Sequence, residues 1–295
     1  MAIPATVANL GPGFDVLALA LQLQNEVEAE NTDEPGLSLV LPPGSPAELR
    51  DPESNLVVAA YRSTCAALGV PAVGVRLRCV NRIPLRRGLG SSAAAALGGT
   101  LAACALHGAP WDEHRVLTHV GAIEGHPDNA AAALLGGLAI CPVGAPAVRL
   151  DVPESLLAVV YVPDVELATA AARAVLPDTV SRADAVFNAG RCALMIRALL
   201  LDDSVGLRVA MEDRLHQAAR TPLFPALPAL LDAALAAGAC GAALAGAGPS
   251  VIALVHGHPE QVQRALAAAA RKHGVRGHTL VSGVRNWGAR VDVSV

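Results

Sequence analysis

Residues 86–100 read RRGLGSSAAAALGGT. Two glycines, Gly88 and Gly90, and two hydroxyl residues, Ser91 and Ser92, stand directly before a run of small helix formers. The first turn of a helix has backbone N–H groups without intrahelical partners, and it lies at the positive end of the helix dipole. An anion is favoured there. Glycine lets backbone come close to a ligand because no Cβ intervenes. The serines add hydroxyls suited to phosphate oxygens or a metal ion. The chemistry open to this stretch is therefore to cradle a phosphate. A plain turn in front of a buried helix is the other reading, and the stretch alone leaves both open.

The rest of the chain narrows the choice. Lys272 is the single lysine among 22 lysines and arginines. A P-loop places a lysine right after its last glycine; no Gly-Lys-Ser or Gly-Lys-Thr occurs, so that route to nucleotide binding is excluded. Cys65, Cys79, Cys104, Cys141, Cys192 and Cys240 show no Cys-x-x-Cys spacing and read as reduced core thiols of a cytoplasmic protein. The nine histidines form no His-x-x-x-His pair suited to zinc. Aromatics are 2% and the net charge is −4, with no basic cluster beyond Arg82, Arg86 and Arg87. Base stacking and phosphate-backbone binding are thus excluded, and no nucleic-acid partner is expected. The opening MAIPATVANLG has no basic segment followed by an apolar stretch, so no signal peptide is read there. The uncharged run from Ala233 to Val255 is long enough to cross a bilayer. It holds Gly238, Gly241, Gly246, Gly248 and Pro249, however, and reads as a helix, a glycine turn and a strand. A soluble protein without a membrane partner is expected.

The elements that must hold the glycine–serine stretch follow from periodicity and punctuation. The chain has 295 residues, enough for one large domain or two ordinary ones, and its 53% hydrophobic content gives a core of Ala, Val and Leu. Strands are predicted over Leu17 to Glu30, Leu37 to Leu41 and Gly74 to Ile83. Asn55 or Ser54 caps a helix that Gly69 ends. Ser92 to His107 is a helix by composition, closed by Gly108 and Pro110. Asp112 caps the next helix. Another starts at Asn129 and breaks at Gly136 and Gly137 into a strand. Past Pro153 the order is strand, helices, strand, strand, helix, strand, with RVAMEDRLHQ (residues 208–217) among the helices. That is an α+β pattern with an antiparallel sheet and helices on one face. The expected division is residues 1–152 and 153–295.

Four segments together resemble the GHMP kinases. They are PATVANLGPGFDVLALAL (Pro4 to Leu21), PLRRGLGSSAAAALGG (Pro84 to Gly99), EGHPDNAAAALLGG (Glu124 to Gly137) and AGAGPSVIAL (Ala245 to Leu254). They span nearly the whole chain, and the first and third are similar to those of the family's homoserine kinases. The resemblance implies a two-lobed α+β fold. Its N-terminal domain would be ribosomal-protein-S5-like, with a left-handed βαβ crossover, and its C-terminal domain ferredoxin-like. The active site would lie between them, and such enzymes are usually homodimers.

The resemblance also implies roles. ATP would be held by Pro84, Gly88, Leu89, Gly90, Ser91, Ser92 and Ala93, with Asn55 in a region lying against adenine. Mg2+ would be held by Ser92 and Glu124; in some homoserine kinases the metal glutamate lies further ahead, where this chain has Thr118. The substrate would be L-homoserine, phosphorylated to O-phospho-L-homoserine in threonine biosynthesis. Its carboxylate would meet Arg173 and Arg220, and its ammonium Asp15, with Asn9, His126 and Asp128 lining the same pocket. Thr169 would stand near the transferred phosphate. Asn129 occupies a slot that holds an aspartate in mevalonate kinase-like members. An amide is no base at neutral pH, so the implied chemistry is direct in-line attack by the hydroxyl, oriented by Asn129. Val7 and the proline-free DNAAAA depart from the family pattern. Plainer readings stand beside these: Asp15 as a turn cap, Arg173 and Arg220 as surface arginines, Asp128 as a helix cap. Another small-molecule GHMP kinase, or a non-catalytic sensor of the same fold, is the alternative function.

Overall fold

The longest strand organises the N-terminal half. The chain begins with β1 (Ala2–Asn9) and turns into β2 (Gly13–Asn31), followed by β3 (Leu37–Val40), α1 (Leu56–Leu68), β4 (Val75–Val80) and α2 (Ser91–Leu106). Then come α3 (Glu113–Glu124), α4 (Asp128–Leu135), β5 (Leu138–Ile140) and β6 (Val148–Leu150). The sheet order is β3-β4-β2-β5-β6, with β1 paired antiparallel to β2. β3 and β4 are the parallel pair, joined through α1. The computed structural model describes residues 1–109 and 111–293. Pro110, read as part of the stop after α2, lies outside the described residues.

Local signals explain the helices that position the site. Asn55 caps α1 by accepting the N–H groups of Val57 and Val58, and Gly69 ends the helix in the left-handed region. Asp112 caps α3 by accepting from Arg115 N–H. α2 buries alanines and glycines on nearly every side, so it is held by close packing and not by an amphipathic stripe.

The second half opens with β7 (Leu156–Pro163), then α5 (Thr169–Ala174), α6 (Arg182–Leu200), α7 (Ser204–Ala210), α8 (Gln217–Arg220) and α9 (Leu227–Ala236). It closes with β8 (Gly241–Leu244), β9 (Val251–His256), α10 (Pro259–Lys272) and β10 (Gly277–Gly283). The four strands are antiparallel in the order β10-β7-β9-β8, the ferredoxin-like arrangement. α10 packs on it through Val262, Leu266 and Ala270, spaced by one helical turn. Past β10 the chain returns to the first sheet: Leu21 bridges Val284, and Ala2 bridges Arg290.

Three expectations change. β1 is a strand that alternation does not reveal, because it is buried on both faces. β6 is three residues long and half exposed, too short to show a pattern. The helix expected over residues 208–217 is broken after Ala210. There the Asp213 carboxylate accepts N–H groups of Leu215, His216 and Gln217, replacing helical bonds with side-chain ones. All six cysteines are free. Burial pushes the thiols of Cys79 and Cys141 up to about 12, which keeps them unreactive. Among the described residues no helix is long and apolar enough to cross a membrane.

Candidate active site

A cleft of about 440 Å³ opens between the lobes, and residues 86–92 form one wall of it. Gly88 and Gly90 take φ of +72° and +71°. A Cβ on Gly88 would come within 2.0 Å of the Ala245 carbonyl oxygen, and one on Gly90 within 2.0 Å of Thr6 Oγ1. The loop is thus wedged between residues 245–248 and β1, which brings three of the four family-like segments together. The first helical bond of α2 is Ala94 N–H to Gly90 O at 2.9 Å. The amides of Ser91, Ser92 and Ala93 are therefore left for a ligand at the positive helix end.

The two serines diverge. Ser91 is buried, and its hydroxyl donates toward Asn81 Oδ1 at 3.3 Å, bracing the loop. Ser92 is exposed and donates to Glu124 Oε2 at 2.7 Å. Burial raises the Glu124 carboxyl above the usual range, although the Ser92 hydrogen bond and the His126 charge pull the other way. The pair offers two oxygens beside the phosphate loop, which suits a hard cation that completes its shell with phosphate and water. Thr118 is exposed on α3, where its hydroxyl donates to His114 O one turn back.

Glu124 ends α3, and α4 starts four residues later with Asp128, which is 2% exposed. Asp128 Oδ1 accepts Asn129 N–H at 2.7 Å and His126 Nδ1–H at 2.8 Å. It therefore serves both as first-turn acceptor and as partner to the imidazole. That partner holds the His126 pKa above the ordinary histidine value, against the opposing effect of burial. Asn129 Oδ1 accepts from Thr6 Oγ1 at 2.8 Å, which fixes the amide in the cleft.

The other wall is made of side chains. Asn9 and Asp15 both adopt positive φ, 74° and 56°. Asn9 Oδ1 accepts Asp15 N–H at 3.1 Å, and its Nδ2 donates to Gly246 O at 2.9 Å. The Asp15 carboxylate accepts both terminal nitrogens of Arg173, at 2.8 and 2.9 Å. This raises the Arg173 pKa. Arg220, at the end of α8, is 2% exposed, which excludes a surface role. Its Nε donates to Ala172 O and its Nη1 to Gly246 O, both at 3.1 Å. Burial first, and then the Arg173 charge, push it down to about 10. The Phe14 ring stands against both guanidinium groups, at 5.7 Å from Arg173 and 5.4 Å from Arg220. Thr169 is the exposed first residue of α5 at the cleft.

Some expected residues play other parts. Pro84 lies outside the cleft lining, and the Ala93 side chain faces the core, leaving only its amide to contribute. Asn55 lines the cleft, but its amide is wholly engaged: Oδ1 caps α1, and Nδ2 donates to Leu49 O at 2.8 Å. Leu49, Leu56 and Leu85 give that end an apolar surface for a flat ring. Arg82 pairs with Glu26. Arg87 donates to the carbonyls of Pro163 and Asp164, both at 2.7 Å, tying the loop to β7. Arg86 bridges Glu48 and Glu166. Sequence reasoning missed Thr6 and His216. Thr6 sits inside the first family-like segment, directly before the departure at Val7. His216 stands one helical turn before Arg220, a spacing that signals a shared face.

Known proteins resemble the chain over nearly its whole length. Residues 55–137 match the profile of the GHMP kinases N terminal domain, and residues 195–272 that of the GHMP kinases C terminal. The chain is 41% identical over 293 residues to a homoserine kinase of Desulfitobacterium hafniense, covering 98% of each chain. It is 40% identical to that of Nostoc punctiforme, over 92% of this chain and 91% of the relative. The crystal structure of homoserine kinase from Cytophaga hutchinsonii superposes with a TM-score of 0.86 at 30% identity, covering 97% of this chain and 95% of that one. A Lactococcus lactis galactokinase shares the fold at 14% identity, with a TM-score of 0.74 over 97% and 93% of the two chains.

Proposed function

The chain belongs to the GHMP kinase family and is a kinase, and from that premise we propose that it phosphorylates the side-chain hydroxyl of L-homoserine. The product is O-phospho-L-homoserine, and the reaction serves threonine biosynthesis. The observation that carries this reading is the side-chain wall. Two guanidinium groups and one carboxylate stand together there, the complement of an amino-acid zwitterion. Asp15 and Arg173 pair with each other; a bound amino acid would present its ammonium to Asp15 and its carboxylate to Arg173 and Arg220, keeping every charge matched. Homoserine relatives at about 40% identity over almost the whole chain support the same choice.

The reaction follows from the two walls. The loop of residues 88–92 holds the triphosphate by backbone amides. Ser92 and Glu124 would hold Mg2+, which supplies charge neutralisation to the phosphates when bound. The substrate hydroxyl, oriented by Asn129 with Thr169 close by, attacks the γ-phosphorus in line. The bond to the β,γ-bridging oxygen breaks, ADP leaves, and the hydroxyl proton passes to the transferred phosphoryl group. The amide at position 129 cannot take that proton, and a loose transition state needs positioning more than a base.

Residues 1–152 form the nucleotide lobe in this reading and residues 153–295 the second lobe, except that residues 284–290 pair back onto the first sheet. The exposed apolar residues Leu200, Leu201 and Val205 on the surface of α6, α7 and their connection support a homodimer. The test is ADP release with ATP and Mg2+ against L-homoserine, L-serine, L-threonine, galactose, mevalonate and shikimate. Release with L-homoserine is expected. Release with another acceptor instead reassigns the substrate, and ATP binding with no release from any acceptor overturns the reading in favour of a sensor.

A further inference from the structure

We infer that His216 is a positioning residue: as a neutral, Nε2-protonated imidazole it locks the Arg220 guanidinium to the turn that carries Asn9 and Asp15. The inference rests on the reading that Arg220 meets the substrate carboxylate. His216 is 1% exposed. Its Nδ1 lies 3.1 Å from Arg220 Nη1, and its Nε2 lies 2.8 Å from Gly11 O. Arginine has no lone pair to offer, so Nδ1 must accept. A carbonyl can only accept, so Nε2–H must donate. Both ring nitrogens are thereby determined, and a protonated ring would turn an N–H against the guanidinium.

Gly11 lies between Asn9 and Asp15, so one ring ties the group for the carboxylate to the group for the ammonium. The ring is itself held from below. Asp213, whose side chain is fully buried, accepts His216 N–H and also Asn188 Nδ2–H, and Asn188 Nδ2 reaches Pro12 O at 3.1 Å. The break in the helix expected over residues 208–217 is what turns His216 inward. The charged groups facing the ring are Arg220 and Asp213, the latter 3.7 Å from Nε2 and beyond hydrogen-bond reach. The Phe14 ring packs on it at 5.4 Å, with Asp15 and Arg173 beyond. Burial and the Arg220 charge outweigh Asp213 and hold the imidazole below the ordinary histidine range.

Two amide substitutions separate the two hydrogen bonds. In His216→Asn the side-chain oxygen stands near the place of Nδ1 and keeps an acceptor for Arg220. In His216→Gln the side-chain nitrogen reaches the place of Nε2 and keeps only the donor to Gly11. The homoserine KM of H216Q is expected to rise about tenfold or more, the scale of one lost charge-assisted hydrogen bond. That of H216N should rise less, with the ATP KM of both within about twofold. The wild-type homoserine KM should climb on the acid side of the ordinary histidine range, and H216N should lack that climb. Nitrogen-15 NMR of the histidines in the wild-type protein should show the Nε2–H tautomer at His216, whether or not the variants fold. An Nδ1–H tautomer, an unchanged homoserine KM in H216Q, or equal rises for both substrates would overturn the inference. Arg220→Leu keeps the two levels apart. If it raises the homoserine KM alone while H216Q does nothing, only the role of His216 fails. If it raises both KM values equally, the substrate reading itself fails.

Discussion

One wall of the cleft is a single stretch of backbone, residues 86–92, and the other is a set of side chains from residues 9, 15, 173 and 220. The first works through amides and glycine geometry; its side chains are secondary, as the bracing role of Ser91 shows. The second works through charges that folding gathers from distant parts of the chain. A wall of the first kind should be fragile at its glycines and tolerant elsewhere. A wall of the second kind should lose one substrate without losing the other.

The largest effect should come from forcing a side chain into the loop. Gly90→Val places a Cβ against Thr6 Oγ1 at a left-handed backbone position, so both sterics and φ oppose it. A drop of at least about 100-fold in kcat/KM for ATP is expected, with a lower melting temperature. Wild-type-like ATP kinetics would break the contrast. Next is Arg220→Leu, which removes a buried cation that has no solvent to replace it. The homoserine KM should rise roughly 30- to 100-fold, on the order of 2–3 kcal/mol, with the ATP KM nearly unmoved.

Ser92→Ala tests the one side chain of the loop assigned to chemistry. The Mg2+ concentration for half-maximal rate should rise about tenfold, one lost ligand. The pH profile should move as well. The Ser92 hydrogen bond lowers the Glu124 pKa, so losing it raises that pKa further. The carboxylate is the ligating form, so rate falls as pH falls through this pKa, and the acid limb should shift to higher pH. An unmoved limb would remove Glu124 from the metal site.

The smallest effect concerns stability. Asp128 holds the His126 pKa above its unfolded value. A raised histidine pKa adds stability that is complete below the unfolded value, near 6.5, and is lost as pH rises through the folded value. Asp128→Asn should therefore cost more at pH 5.5 than at pH 8.5, a difference of roughly 2–4 °C in melting temperature. Thermal scans at the two pH values measure it directly.

The same contrast explains what was legible before the structure. The glycine loop could be read because its function lies in consecutive residues with unusual backbone needs. Helix caps at Asn55 and Asp112 were legible for the same local reason. Asp15, Arg173 and Arg220 were reached only through family resemblance, since nothing in their neighbourhoods announces a charge cluster. Thr6 and His216 stayed hidden because each reaches a partner far away in sequence, Thr6 to Asn129 and His216 to Gly11 O. β1 stayed hidden because burial on both faces erases alternation, and the helix break at Asp213 because a side chain substitutes for backbone.

The return of the chain to its own beginning sets an order of events during synthesis. Ala2 N–H bonds to Arg290 O at 3.0 Å, and Arg290 N–H bonds to Ala2 O at 3.1 Å. Gly137 N–H bonds to Arg285 O, and Ala289 N–H to Ala133 O, at the C-terminal end of the helix that begins with Asp128 and Asn129. The strand made among the first residues pairs with β2 at once, but its other edge waits almost a full chain length for Arg290. Contacts so distant in sequence slow folding and leave an edge bare meanwhile. The glycine loop meets its last neighbours, residues 245–248, before the first lobe of this kinase is closed by residues 284–290.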